Sequence, residues 1–273
     1  MEKWNLIIYT PAYNVEKTIG ELLDRTAKAA KGLEEASVSL AALVIVNDGS
    51  TDNTKTLAVK ASRRKKTSFA RIVDKPKNEG PTKALFDGME ESLAIAQERG
   101  YAPERTIMVR MDSDLEHQPE DLPRLVEPIT AGKASAVVGY IPYDERSGKE
   151  AMEFNLRAGL EESRRFLGAD IPQFCPGFNA IRLDLFSKIH TKLVAAARKY
   201  EREMKEDMLA MDFVELIIAK NMGAQPEIVK LLPIEDKTIK KPTPEKLKYY
   251  QSCHEKTMRF LEKEYPIREQ SLP

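Results

Sequence analysis

Four short apolar runs constrain this chain more than anything else in it. They are Leu6-Ile7-Ile8-Tyr9, Leu43-Val44-Ile45-Val46, Ile107-Met108-Val109-Arg110-Met111 and Ala136-Val137-Val138-Gly139. None shows the apolar–polar alternation of a strand with one wet face, so each must be covered on both faces. The covering elements lie between them. Lys17 to about Lys31 carries Ile19, Leu22, Leu23, Ala27 and Ala30 at helical spacing, and Thr82 to Arg99 carries Ala84, Leu85, Met89, Leu93 and Ala96. Strands alternating with helices predict an α/β fold with a mostly parallel central sheet flanked by helices. Thr10-Pro11 is expected to stop the first strand. Further strands are expected over Phe69–Val73 and Glu227–Leu232, and further helices over Asp52 to about Lys60, Leu122–Ile129, Lys149–Leu167 and Thr191–Asn221. Phe174 to Asn179 reads as a non-helical loop, and a last helix follows Pro242 and Pro244 and docks on the domain.

Parallel sheets of this kind bind ligands at the carboxyl ends of their strands. Three polar loops fall there: Pro11-Ala12-Tyr13-Asn14, Asn47-Asp48-Gly49-Ser50 and Asp112-Ser113-Asp114. Two carboxylates two residues apart repel unless a cation sits between them. Hard divalent ions take oxygen ligands, and Mg²⁺ commonly takes one or two carboxylates plus substrate phosphates. Asp112 and Asp114 therefore read as a site for a metal that carries a phosphorylated ligand, or else as a polar turn that caps the next helix. Asp48 can accept hydrogen bonds from a base or ribose, and Tyr13 can pack on a nucleobase or simply cover the sheet. Asn78-Glu79-Gly80-Pro81-Thr82-Lys83 can offer backbone N–H groups and Lys83 to a diphosphate. His117 reads as a further metal ligand or a contact to the donor phosphate, or else as a structural or exposed histidine. The P-loop and dinucleotide glycine patterns do not occur.

Lys+Arg 43 against Asp+Glu 43 in 273 residues leaves no net field to draw in nucleic acid. Cys175 and Cys253 form no framework and no metal spacing, which suits a reducing cytoplasm. The longest apolar stretch, Leu40 to Val46, is too short to span a bilayer, and Met1–Asn5 leaves no room for a signal peptide before the first strand. Arg63-Arg64-Lys65-Lys66 reads as a solvated helix end, with a membrane-surface contact as the alternative. The C-terminal helix, with Tyr249, Tyr250, Met258 and Phe260, reads as a core or homodimer face, with a lipid anchor as the alternative.

Pro11-Ala12-Tyr13-Asn14, Asn47-Asp48-Gly49-Ser50-Thr51-Asp52, Asn78-Glu79-Gly80, Asp112-Ser113-Asp114 and Gly177-Phe178 stand in the order typical of family-2 glycosyltransferases. The chain resembles a GT-A fold enzyme of that family over about residues 5–235. The run Asp112 to Leu122 is similar to that of dolichyl-phosphate mannose synthase-like members. The resemblance implies a GT-A domain over 1–235, with a nucleotide-sugar half to about 140 and an acceptor half over 141–235. Residues 236–273 would form a helical extension packed on it. It implies a UDP- or GDP-linked sugar donor, Mg²⁺ or Mn²⁺ as cofactor, and inverting transfer to a polyprenyl phosphate or a hydroxyl acceptor. Pro11, Tyr13, Asn14, Asp48, Lys83 and Asp112 would hold the donor. Asp112, Asp114 and Glu116 would hold the metal, and Asp212, Glu215 or Asp207 would supply a base. Gly139-Tyr140-Ile141 stands where lipid-acceptor relatives often carry Gly-Ser-Arg, with Arg146 nearby as a substitute. A cytoplasmic protein, at the inner face of the membrane if its acceptor is a lipid, is the expected setting. A sugar-1-phosphate nucleotidyltransferase and a non-catalytic nucleotide-sugar-binding protein remain the alternatives.

Overall fold

The structure, a computed structural model, describes residues 3–141, 148–206, 211–233 and 241–266. In chain order its elements are β1 (Trp4–Ala12), α1 (Ile19–Glu35), β2 (Val38–Asn47), α2 (Thr54–Ser62), β3 (Ala70–Asp74), α3 (Pro81–Glu98), β4 (Thr106–Arg110), α4 (Leu122–Thr130) and β5 (Ala136–Tyr140). After these come α5 (Lys149–Glu162), β6 (Phe178–Arg182), α6 (Leu183–Met204), α7 (Met211–Asn221), β7 (Glu227–Lys230) and α8 (Pro244–Glu264). The strands form one seven-stranded sheet in the order β3-β2-β1-β4-β6-β5-β7. All neighbours are parallel except β6, which runs antiparallel to both β4 and β5.

The apolar runs are continuous because each strand feeds two cores. Ile7, Val44, Val46 and Met108 face one, shared with α3, α6, α7 and α8. Leu6, Ile8, Leu43, Ile45, Ile107 and Val109 face the other, shared with α1 and α4. Burying one such side chain contributes about 1.5–3 kcal/mol, so a register slip that turned either face to water is strongly disfavoured.

Four elements differ from expectation. β1 runs through Thr10-Pro11 to Ala12. The β1–β4 ladder ends at Tyr9↔Arg110, whereas the β1–β2 ladder continues to Ala12↔Asn47. The Pro11 carbonyl faces the β4 side, where it accepts from the Ser113 hydroxyl at 2.6 Å. The N–H that proline lacks would point the same way, past the end of the ladder, so nothing is lost. The helix expected from Lys149 to Leu167 is α-helical to Glu162 and closes with one π-helical turn, Ser163–Leu167, before Gly168. The loop expected over 174–179 gives way to β6 at Phe178, and α6 starts at Leu183 rather than Thr191. Arg182 fixes that start by pairing with Asp184 in the first turn, Nε to Oδ1 at 2.6 Å.

Candidate active site

The carboxyl edge of the sheet is stitched from side chains that bond backbone. Asn14, at φ 52°, donates its N–H to Ser50 Oγ at 3.0 Å, and its side-chain oxygen accepts from the Thr51 N–H at 2.9 Å. The Val15 N–H donates to Thr54 Oγ1 and the Glu16 N–H to Asp52. Thr18 Oγ1 donates to the Ser113 carbonyl at 2.9 Å. These bonds lock the loops after β1, β2 and β4 into one rim.

Asp48 is buried, and its two carboxylate oxygens accept from the Glu79 and Gly80 N–H groups, each at 3.0 Å. Lys75 Nζ lies 3.0 Å from Asp48 and also reaches Glu79 and Asp87. Burial alone would push the Lys75 ammonium down, but its three carboxylate partners outweigh that and hold it above the usual lysine range. Gly49 makes this approach possible: at φ 63°, a Cβ there would lie 2.2 Å from the Lys77 carbonyl carbon. Lys75 stands just past the end of β3, and its strand-end position was the only trace of it in the sequence.

The acidic loop follows β4 directly. Asp112 and Asp114 are half-buried, and Asp114 Oδ1 accepts from the Glu116 N–H at 3.1 Å. His117 sits behind them, stacked on Phe178 with ring centroids 5.0 Å apart. The Asp112 N–H donates to its Nδ1 at 3.0 Å, and Nε2 lies 3.0 Å from the Pro176 carbonyl. A carbonyl only accepts and an N–H only donates, so the ring is the Nε2–H tautomer with both nitrogens engaged. His117 therefore shapes the loop and is not a metal ligand in this arrangement. Gly177 is required beside it, because a Cβ there would meet the His117 ring at 2.9 Å.

These loops open onto a cleft of about 470 Å³. Pro11, Tyr13, Asn14, Asp48, Asp112, Ser113 and Asp114 line it, together with Lys246 from α8. Tyr13 is 47% exposed at its lip. Two half-buried carboxylates in an open cleft form an all-oxygen donor set that fits a hard divalent ion completed by phosphate and water. Glu116 does not line the cleft, and among the described residues no three His, Cys, Asp or Glu side chains gather as a metal cage. Lys83 is not brought to the cleft either. It pairs with Glu79 at 3.0 Å and faces a separate groove of about 280 Å³ between α3 and α6.

The late acidic segment, expected to supply a base, is buried and does not line the cleft. Asp212 is 0% exposed and Glu215 2% exposed. Both sit on α7, away from the cleft lining. Asp212 pairs with Arg110 at the end of β4. Tyr9, Arg110 and Asn179 occupy one register across β1, β4 and β6 and so share a face. Burial pushes the Glu215 carboxyl up to about 7, although Arg110 and the Asn179 amide pull it back. Burial, then the nearby Glu215, pushes the Tyr9 phenol well up. The pair is thus part of a buried polar layer beneath the acidic loop. Asp207 and Arg146 lie outside the described residues.

The chain is 30% identical over 139 residues to undecaprenyl-phosphate 4-deoxy-4-formamido-L-arabinose transferase of Proteus mirabilis, a match covering 50% of this chain and 37% of that protein. It is 30% identical over 138 residues to an uncharacterised protein of Methanocaldococcus jannaschii, covering 50% of this chain and 52% of that one. The chain thus spans about half or less of the length of these relatives. Its fold is shared with glucosyl-3-phosphoglycerate synthase of Mycobacterium tuberculosis, solved with Mn²⁺, UDP and phosphoglyceric acid: TM-score 0.61 at 18% identity, over 98% of this chain and 80% of that one. The glycosyl transferase family 2 model matches residues 7–190, a span that runs from within β1 through β6 and holds all three strand-end loops, and the chain belongs to that family.

Proposed function

We propose that the protein transfers a sugar from a nucleoside-diphosphate sugar bound in the cleft to an acceptor, by a single displacement with inversion. The observation that carries this is the convergence of Asp112, Asp114, Asp48 and Tyr13 on one cleft at the carboxyl edge of the sheet. Tyr13 offers a ring face to the nucleobase. The Asp48 carboxylate, committed to the 79–80 amides, sets the position of the loop that closes the base side. Asp112 and Asp114 would hold Mg²⁺ or Mn²⁺, which when bound supplies Lewis-acid stabilisation of the leaving diphosphate. The bond from the anomeric carbon to the diphosphate oxygen breaks with its electron pair leaving on that oxygen, while an acceptor oxygen forms the new bond. Most of the remaining acceleration comes from holding donor and acceptor in line.

An acceptor hydroxyl needs a base within hydrogen-bond reach, whereas an acceptor phosphate arrives as an anion and needs none. Among the described residues, Asp212 and Glu215 do not line the cleft, which favours an anionic acceptor. The undecaprenyl-phosphate relatives and the phosphoglyceric acid complex point to the same class. No helix among the described residues is long and apolar enough to cross a membrane. A polyprenyl-phosphate acceptor would therefore be met at the membrane surface by this part of the protein. Of the basic run, Arg64 and Lys66 are drawn to Asp24 at 2.8 and 3.2 Å.

Incubation with UDP- and GDP-sugars, Mn²⁺ and either polyprenyl phosphate or glycerol-type acceptors tests the reading. Acceptor-dependent release of nucleoside diphosphate supports it. Release of pyrophosphate from a nucleoside triphosphate and sugar phosphate, with no glycosyl transfer, would overturn it.

A further inference from the structure

The cleft walls carry three acidic side chains, Asp48, Asp112 and Asp114. Among the described residues lining it, the one basic side chain is Lys246. It lies beyond the 7–190 span of the family match, on the first turn of α8. That turn is well held. Thr243 Oγ1 accepts from the Lys246 N–H at 3.2 Å, and the ammonium lies 5.5 Å from the centroid of the Tyr250 ring. Leu247 is buried with Phe154, Ala158 and Phe174. Two turns on, His254 is clamped between Glu162 at 2.9 Å and Glu161 at 3.3 Å, with the Phe154 and Phe174 rings edge-on to it. Phe174 leads into Cys175-Pro176-Gly177, and the Pro176 carbonyl orients His117, which in turn accepts from Asp112. The support of α8 is therefore continuous with the support of the acidic loop.

We propose that Lys246 is the counter-ion for the diphosphate of the donor, so that the C-terminal helix completes the donor site. The proposal rests on the reading of the cleft as a nucleotide-sugar site. The charge balance motivates it. Asp112 and Asp114 together neutralise one divalent cation, which leaves the diphosphate to be balanced by the lining itself. Among the described residues lining the cleft, Lys246 alone offers that charge, as a compact three-donor ammonium on an exposed side chain of α8. The nearby cations do not serve: Lys75 is held by three carboxylates and Lys83 faces the other groove. The contact would strengthen as the leaving group gains charge.

Calorimetric titration of the whole chain with Mn²⁺-UDP and Mn²⁺-GDP, in wild type, Lys246→Met and Lys246→Arg, tests this. The Met variant keeps an apolar stem against Tyr250 and removes the ammonium, both its charge and its donors. A charged hydrogen bond of this kind corresponds to about a tenfold or greater change in affinity. The expected result is that rise in Kd for Lys246→Met, retention by Lys246→Arg, and an unchanged melting temperature without nucleotide. Wild-type affinity in Lys246→Met would overturn the assignment and leave the donor-site reading standing. So would a loss matched by a fall in the ligand-free melting temperature, which marks a structural role. Failure of the wild type itself to bind either diphosphate with Mn²⁺ would remove the donor-site reading and this assignment with it.

Discussion

Asp112 and Asp114 at the end of β4, and Asp212 and Glu215 on α7, are two acidic pairs of similar spacing in opposite surroundings. The first pair is half-buried and lines an open cleft; the second is sealed beneath the sheet edge. A carboxylate open to a cleft can bind a cation that comes and goes with substrate. A carboxylate without solvent must be neutralised by its surroundings, by Arg110 for Asp212 and, below about pH 7, by its own proton for Glu215. The chemistry of a carboxylate thus follows from its access to solvent more than from its neighbours in sequence.

The largest expected effect separates the pairs at once. Asp114→Ala should abolish the Mn²⁺-dependent thermal stabilisation by donor nucleotide, while the ligand-free protein changes by less than about 1 kcal/mol. Full metal-dependent turnover in this variant would dissolve the contrast. Asp212→Ala should do the reverse. It leaves Arg110 buried without its partner, which costs about 3–5 kcal/mol, read as a lowered urea midpoint. A loss of turnover in Asp212→Ala with unchanged stability would instead restore Asp212 as a base.

Glu215 sharpens the comparison through pH. Its carboxyl is raised from 4.5 to about 7, so folding favours the protonated form. That contribution is complete below pH 4.5 and lost as pH rises through about 7, a change on the order of 3 kcal/mol. Glu215→Gln cannot titrate, so it should match wild type in acid and exceed it at pH 8 in denaturant titrations. A smaller effect of the same sign is expected at α8. Burial would lower His254, but Glu162 and Glu161 outweigh it and raise it above 6.5. Its contribution is present below pH 6.5 and fades as pH rises through the raised value. Thermal melts across that range should show the slope in wild type and its loss in His254→Gln.

Much of the sheet was legible because β1, β2, β4 and β5 are covered on both faces and so carry unbroken apolar runs. β6 was not. Phe178-Asn179-Ala180-Ile181-Arg182 puts a buried amide in mid-strand, and it pairs antiparallel with two strands distant in sequence. The donor-side loops were legible as motifs. The cations around them were not: Lys75 and Lys246 reach the site by folding, from positions with no local pattern. Asp48 showed the converse, a motif residue whose oxygens are spent on holding the 79–80 loop.

The sequence by itself determined the α/β alternation, the family, and the acidic pair at the end of a strand, because periodicity and strand-end loops are local properties of the chain. The tertiary structure decided which carboxylates meet solvent, that His117 supports the acidic loop through both ring nitrogens, and that α8 brings a lysine to the cleft. Those outcomes depend on burial and on contacts between residues far apart in sequence, such as His117 with Pro176 and the meeting of Asp112 and Lys246 in one cleft lining, which no local pattern encodes.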